Sequence, residues 1–406
     1  MKKIHYREWD IESPRYWGLL AVLAAIVAVG GFATLYMEHE GHWVTGMTNQ
    51  IVWGTPHVFA IFLIVAASGA LNVASIGSVF GQKMYKPLAR LSGLMAITLL
   101  VGGLIVLVLD LGQPGRLIVA MTTYNFKSIF AWNIYLYVGF IAIVAVYLFT
   151  MMERKANDYS KGLGVVAFIW RLALTTGTGS IFGFLVARQG YDAAIMAPMF
   201  IIMSFAYGLA LYLLVLMFAF NSEGRPLGDK VLRRLKNLLG VFVAAVFYFT
   251  LVYHLTNLYG TENHEFEAFI LRDGGVYTWT FWIGWVLLGM LVPMGILFHP
   301  ALGTQRGAIT IAALLVVLGG LSAIYVIVIG GQAFPLNMFP GHTIIESGYF
   351  DGVNGAARHY SPSLPEFLLG IGGFALAILA TFVGVRLLQF LPASLSDEAV
   401  DPHSAN

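Results

Sequence analysis

The sequence predicts an all-α polytopic membrane protein with about ten transmembrane helices, and three observations carry that expectation. The first is composition. Of the 406 residues, 58% are hydrophobic and 11% are charged, with a mean hydropathy of +0.78. A soluble chain carries roughly 25% charged residues, and one of this length could not bury so much apolar surface. The second is segmentation. A bilayer span takes about 20 mainly apolar residues, and ten segments qualify: 16–36, 56–79, 90–110, 129–150, 163–187, 194–220, 237–259, 279–298, 307–330 and 365–390. The third is the alternation of charge. The N-terminus and every second connection carry 16 Lys and Arg residues, from Lys2, Lys3, Arg7 and Arg15 through Lys83, Lys86, Arg90, Arg154, Lys155 and Lys161 to Arg225, Lys230, Arg233, Arg234, Lys236 and Arg306. The intervening connections carry 5: Arg116, Lys127, Arg188, Arg272 and Arg358. The positive-inside rule then places both termini in the cytoplasm, in a multi-pass protein of the cytoplasmic (inner) membrane.

Each span has local reasons for its place. No small-residue cleavage site follows the first apolar run, Tyr16 to Tyr36, which reads as a retained helix. Pro56 opens the second span, and Asp110 closes the third in the run LVLDLGQPGR. The fifth is rich in glycine (TTGTGSIFG), the sixth opens at Ala197-Pro198, and the eighth contains Pro293 and ends before His299-Pro300. Gly319-Gly320 in the ninth and Gly372-Gly373 in the tenth favour close helix packing. Pro365 opens the tenth. Residues 1–392 thus read as one integral membrane domain. The connection 331–364 reads as a structured cap, and the polar tail 393–406 as disordered.

Several function classes fall away. A net charge of +2 leaves no nucleic-acid footprint. The chain has no cysteine, so it offers no disulfide, no thiolate-held zinc, no cysteine-ligated iron–sulfur cluster and no covalent haem attachment. No metal ligand set is read from the spacing.

An ionisable group at membrane depth is costly and is a functional candidate by default. Here His57 opens the second span, Asp110 closes the third, His254 lies near the outer end of the seventh and Glu366 opens the tenth, all in the outer third. Asn72, Asn133, Arg171 and Arg386 complete the set, with the two arginines read as snorkelling towards the basic side. Quinone chemistry makes matching demands: an apolar slot, hydrogen-bond donors to the ring oxygens, and a base that exchanges protons near neutral pH. His57 suits the last, with Asp110 or Glu366 as its carboxylate partner and Trp53, Tyr124 and Trp132 as walls. Each residue also has a plainer role: His57 as an interfacial histidine, Asp110 as a helix end paired with Arg116, Glu366 as a helix cap, and His254 as a packing residue. A b-type haem would use His57 and His254, the one histidine pair at similar depth. A secondary transporter would need a mid-membrane site and broken helices, and a passive anchor would need neither.

The order of several short segments resembles the NrfD/PsrC-like family of membrane subunits, including the HybB and DsrP types. They are Trp53-Gly54; Asp110-Leu111-Gly112-Gln113-Pro114 with Arg116; Asn125 with Ser128 and Trp132-Asn133; Ala197-Pro198-Met199-Phe200; and Tyr360-Ser361-Pro362 with Glu366, ending in Arg386-Leu387-Leu388 and Leu391-Pro392. Gln113 stands where the family pattern has an arginine. Length, ten spans and the histidine of WGTPH look most similar to the DsrP type. The resemblance implies two four-helix bundles plus flanking helices, no haem or iron–sulfur cluster in this chain, and a site for menaquinone or ubiquinone near the outer face. It also implies an extracytoplasmic ferredoxin-like iron–sulfur partner, further redox subunits that include a cytochrome in some complexes, and a place in sulfur metabolism. On that reading His57, Asp110 and Glu366 exchange protons, Trp53, Gly54, Tyr124 and Trp132 shape the slot, Asn125 is a second donor, His254 lies nearby, and the subunit turns nothing over alone.

Overall fold

A computed structural model describes residues 4–10, 14–334 and 360–400. Ten helices are long and apolar enough to cross a membrane: α1 Pro14–Glu40, α2 Thr55–Ser78, α3 Lys83–Leu109, α4 Ile129–Met152, α5 Arg154–Gly183, α6 Met196–Ser222, α7 Asp229–Tyr259, α8 Val276–Phe298, α9 Arg306–Ala333 and α10 Leu364–Leu387. All ten expected spans are present. Of the expected cap over 331–364, residues 335–359, with Glu346, Asp351 and Arg358, lie outside the described residues, as do Lys2, Lys3 and the last six residues.

Two four-helix bundles form the body. In the first, α2 packs on α3, α3 on α4, α4 on α5, and α5 closes the ring on α2; in the second, α6, α7, α8 and α9 do the same. The bundles join along α2 and α6, which are buried on nearly every side. Their backbones touch there because a side-chain carbon at Gly69 would fall 1.6 Å from the Ser204 carbonyl oxygen, so glycine alone fits. Helices α1 and α10 flank the first bundle, with α10 against α2 and α3 and α1 against α10. Part of α8, Thr280–Leu291, is wound as a π-helix.

Polar side chains inside the bundles are held locally. Arg171 was expected to snorkel, yet it is 0% exposed. Its Nη2 donates to Asn72 Oδ1 at 3.0 Å, and the guanidinium lies 4.8 and 4.9 Å from the ring centroids of Phe168 and Phe205. Those partners lie on α2, α5 and α6 and hold the guanidinium inside the protein, while its Nε and Nη1 have no hydrogen-bond partner among the described residues. Arg386 does reach the basic side, where it meets Glu8 at 3.5 Å.

The two ends of the chain meet on that basic face. Strand β1 (Tyr6–Arg7) pairs antiparallel with β2 (Leu391–Pro392), and Arg225 donates to Glu8 O at 2.7 Å and Pro392 O at 3.1 Å, clamping both. The tail was expected to be disordered from Ala393 on. Instead, as far as Val400, it docks: Leu395 exchanges backbone hydrogen bonds of 2.9 and 2.8 Å with Pro226 and Gly228. The reason is the spacing of three apolar residues, Leu391, Leu395 and Val400, each buried among polar neighbours.

Candidate functional site

The second helix enters the membrane at Gly54, its N-cap, with Pro56 in the first turn, where the missing N–H leaves no donor unsatisfied. That turn sets His57 at the end of the first bundle away from the basic face. The third helix ends at Asp110, after which Gly112 turns the chain with φ +69°. A carboxylate at a helix C-terminus meets the negative end of the helix dipole, so it needs a donor. His57 supplies it, with Nδ1 2.6 Å from Asp110 Oδ2. The carboxylate is buried, and its Oδ1 has no hydrogen-bond partner among the described residues. With Nδ1 engaged, Nε2 is the ring nitrogen left to a ligand.

His57 forms part of the wall of a cavity of about 340 Å³ at the less basic end of the first bundle, bounded by α2, α3, α4 and α5. The lining is overwhelmingly apolar, from Ile61 and Ile64 on α2 through Leu104 and Val108 on α3 to Ile181 and Phe182 on α5. The polar groups are few: His57, Asn133, Tyr137 and Thr178, the last two with hydroxyls 3.2 Å apart. Asn133 donates to the carbonyls of Ile129 and Gly177 at 2.9 and 3.1 Å, and its Oδ1 is unpartnered. Trp53 closes one side, stacked on His57 with ring centroids 6.2 Å apart and an interplanar angle of 22°.

Trp53 is held from the second bundle. Gln332, at the end of α9, accepts from the backbone N–H of Val52 and Trp53 at 2.9 and 3.0 Å and donates to Trp53 O at 3.0 Å. Arg188 ties the same corner, donating to Gln332 O at 3.0 Å and Gln50 O at 2.9 Å. Sequence reasoning passed over Gln332. Its signal was present, a lone amide in the run IGGQAF at a span end, where a buried polar group needs several partners.

The other expected site residues lie elsewhere. Glu366 is fully buried, but it caps α10. Its Oε2 accepts from Ser363 N at 2.9 Å and Gly46 N at 2.7 Å, and its Oε1 accepts from the Tyr360 hydroxyl. Burial and the adjacent carboxylate push the Tyr360 hydroxyl far above its usual range, so it stays protonated and donates. The same hydroxyl accepts from Thr55 N at 2.7 Å. Glu366 therefore positions the entry to α2 rather than touching His57. Gly54 belongs to this brace, since a side-chain carbon there would lie 2.3 Å from Glu366 Oε1. Tyr124 packs on Phe126 and Tyr135 outside the cavity, and Asn125 accepts from Lys127 N at 2.9 Å in a turn. Trp132 is 45% exposed and donates to Phe126 O. On α4 it is Phe130, Asn133, Ile134 and Tyr137 that line the cavity, an i, i+3, i+4, i+7 stripe. Trp132 stands about 200° round the helix from Phe130 and faces away.

His254 belongs to the second bundle. Its Nδ1 lies 2.7 Å from Glu267 Oε2, while Asn257 Nδ2 donates to Glu267 Oε1 at 2.8 Å. The ring is pressed among Tyr253, Phe281 and Trp285, and Nε2 has no partner. Among the described residues, no three His, Asp or Glu side chains are grouped to hold a metal ion.

The family model described as "Polysulphide reductase, NrfD" matches residues 43–336, a stretch that includes His57, Asp110 and the whole cavity. The chain belongs to the NrfD family. It is 30% identical over 402 residues to the Hdr-like menaquinol oxidoreductase integral membrane subunit of Archaeoglobus fulgidus, covering 98% of this chain and 99% of that one. It is 27% identical to a membrane subunit of a putative dimethyl sulfoxide reductase from Halobacterium salinarum, over 93% of this chain and 92% of the relative. It is 23% identical to a selenate reductase subunit from Mesobacillus selenatarsenatis, over 91% and 93%. With ten apolar helices and NrfD membership, it is a multi-pass integral membrane protein.

Proposed function

We propose that this NrfD-family chain is the quinone-reactive membrane subunit of a respiratory oxidoreductase. It exchanges electrons between the membrane quinone pool and an iron–sulfur partner on the less basic, extracytoplasmic face. The observation that carries the reading is a His–Asp pair set in the wall of an apolar cavity at membrane depth. The names of the three relatives support a place in a multisubunit redox complex, and that of the Archaeoglobus relative supports menaquinone over ubiquinone. Similarity to the DsrP type supports sulfur metabolism as the setting.

The cavity suits such a ligand. Its apolar walls take a ring and the start of an isoprenoid tail, and polar groups stand on three different helices: His57 on α2, Tyr137 on α4 and Thr178 on α5, the last donating to Leu174 O at 3.0 Å and so presenting an acceptor. A bound quinone couple supplies two-electron, two-proton chemistry. His57 Nε2 holds one ring oxygen and gives or takes a proton there. Asp110 keeps Nδ1 protonated, fixes the ring plane and balances the imidazolium charge. Asp110 Oδ1, with no other partner, is the oxygen through which a proton passes on to the aqueous face. Trp53 holds the imidazole in place and excludes water from that side.

The test uses the complex purified with its native partners. Bound quinone is extracted and a redox difference spectrum recorded, for the wild type and for His57→Ala. Loss of bound quinone and of quinone-linked activity in the variant is expected. Intact quinone-linked activity in His57→Ala, or a haem b signal that disappears with His57 or His254, overturns the reading.

A further inference from the structure

A second cavity lies at the opposite end of the first bundle, on the basic face, and its charge is unbalanced. It measures about 480 Å³ and is bounded by the end of α2, the start of α3, the end of α4, the start of α5 and the N-terminal segment around Tyr6. Four cations line it: Lys83, Lys86, Arg90 and Lys161. Ser78 and Ser160 add hydroxyls, and no Asp or Glu is in the lining. Among the described residues, Lys83, Lys86 and Lys161 make no ion pair with an acid. The acids nearest in sequence are engaged elsewhere or face away: Glu153 accepts from Lys155 N at 3.2 Å, and Asp158 faces a different hollow.

Arg90 is the fixed point of the site. It donates to Gln389 O at 3.1 Å and Met151 O at 2.8 Å, and its guanidinium lies 3.8 Å from the centroid of the Tyr6 ring. One cation is thus held rigidly at the base while three lysines ring the mouth. Four like charges around one cavity repel one another. An arrangement of this kind is stable in company with an anion.

We propose that this cavity binds the phosphate headgroup of an anionic phospholipid from the leaflet on the basic side. The shared chemistry is a phosphate mono- or diester held by three ammonium groups, a guanidinium and the Ser160 hydroxyl, the Ser78 hydroxyl being given to Ala74 O at 3.0 Å. Its position favours a lipid over a soluble phosphate. The cavity sits at helix ends, which is headgroup depth for spans of this length. On α5, beyond Lys161, exposed apolar side chains stand ready for acyl chains, among them Val165, Val166 and Ile169. Basic pockets between spans on the cytoplasmic side are built for such headgroups. A lipid seated here would tie α2, α3, α4 and α5 together at the end of the bundle away from the His57 cavity.

The experiment is native mass spectrometry of the purified complex after exchange into detergent containing either phosphatidylglycerol or phosphatidylcholine. The wild type is compared with a Lys83→Gln, Lys86→Gln, Lys161→Gln variant. An Arg154→Gln, Lys155→Gln variant, altered outside the cavity, controls for loss of surface charge. Retention of phosphatidylglycerol but not phosphatidylcholine is expected in the wild type and the control, with affinity in the triple variant falling about a hundredfold. Inorganic phosphate at millimolar concentration is added as a competitor. Full displacement of the lipid by phosphate assigns the cavity to a soluble anion and overturns the lipid assignment. Equal retention of phosphatidylglycerol by the wild type and the triple variant overturns the site itself.

Discussion

The two halves of the molecule each carry a histidine with a buried carboxylate on Nδ1, at 2.6 Å for His57–Asp110 and 2.7 Å for His254–Glu267. As pairs they are nearly indistinguishable. Their surroundings differ. Asp110 has one oxygen without a partner, whereas both oxygens of Glu267 are taken, by His254 and Asn257. His57 borders a cavity of about 340 Å³, whereas His254 is enclosed by Tyr253, Phe281 and Trp285 and borders none of the cavities described above. One pair has room for a ligand and an unused acceptor for a proton; the other is closed on itself. The chemistry of a site therefore lies as much in the empty space beside a residue pair as in the pair.

The largest expected effect separates the two pairs directly. His57→Ala removes the proton-exchanging group and lowers quinone-linked turnover of the assembled complex by on the order of 10²–10⁴-fold. His254→Ala leaves a buried carboxylate without its main donor, which costs about 3–5 kcal/mol in a buried pair. Its thermal unfolding midpoint falls while activity per folded complex stays within about twofold. Equal loss of turnover in both variants would mean that the second pair also serves the reaction.

Asp110→Asn comes next. It keeps the shape of the His57 partner but removes the charge and allows the imidazole to take the wrong tautomer. Turnover is expected to fall by about tenfold or more, with a shifted pH optimum. Glu267→Gln, the matched change in the other half, leaves the pH profile of turnover where it was. Smaller again is Gln332→Ala, which frees the Trp53 segment from three hydrogen bonds. Each is worth about 1 kcal/mol. The expected result is weaker quinone binding, read as a raised KM with kcat nearly unchanged.

The sequence carried the membrane architecture and named the two residues that the proposed site rests on. Ten spans were legible because lipid allows only apolar helices of a fixed length, so each left an unmistakable run. His57 and Asp110 were legible because charged groups at span ends are rare, but the choice between Asp110 and Glu366 as the His57 partner was not, since it depends on how the helices are rotated about their axes. The same ambiguity left two roles open for Glu366. Its position after Ser363 and Pro365 fits a capping box as well as an active-site acid, and the structure shows the box. Gln332 was missed because it acts across bundles, 279 positions from Trp53, and no local pattern records that contact. The docked tail was missed because Leu395 and Val400 are too few to stand out in a polar run.

The smallest expected effect tests the rotation of α4. Trp132 was expected to wall the cavity, and it is the more conspicuous residue, large and aromatic. Phe130 lines the cavity instead and packs 5.8 Å from the Trp53 ring. Trp132→Ala removes an exposed indole whose single hydrogen bond, to Phe126 O, lies at the interface. It should leave quinone affinity unchanged. Phe130→Ala opens the wall beside Trp53 and removes apolar contact from the ligand, a loss of about 1–3 kcal/mol for a buried aromatic group. That corresponds to roughly a five- to hundredfold weaker Kd. Both variants leave His57 and Asp110 intact, so they report on shape alone. If Trp132→Ala weakens binding and Phe130→Ala does not, then α4 is turned by about half a revolution from the arrangement described, and the polar groups on its inner face, Asn133 and Tyr137, turn away with it.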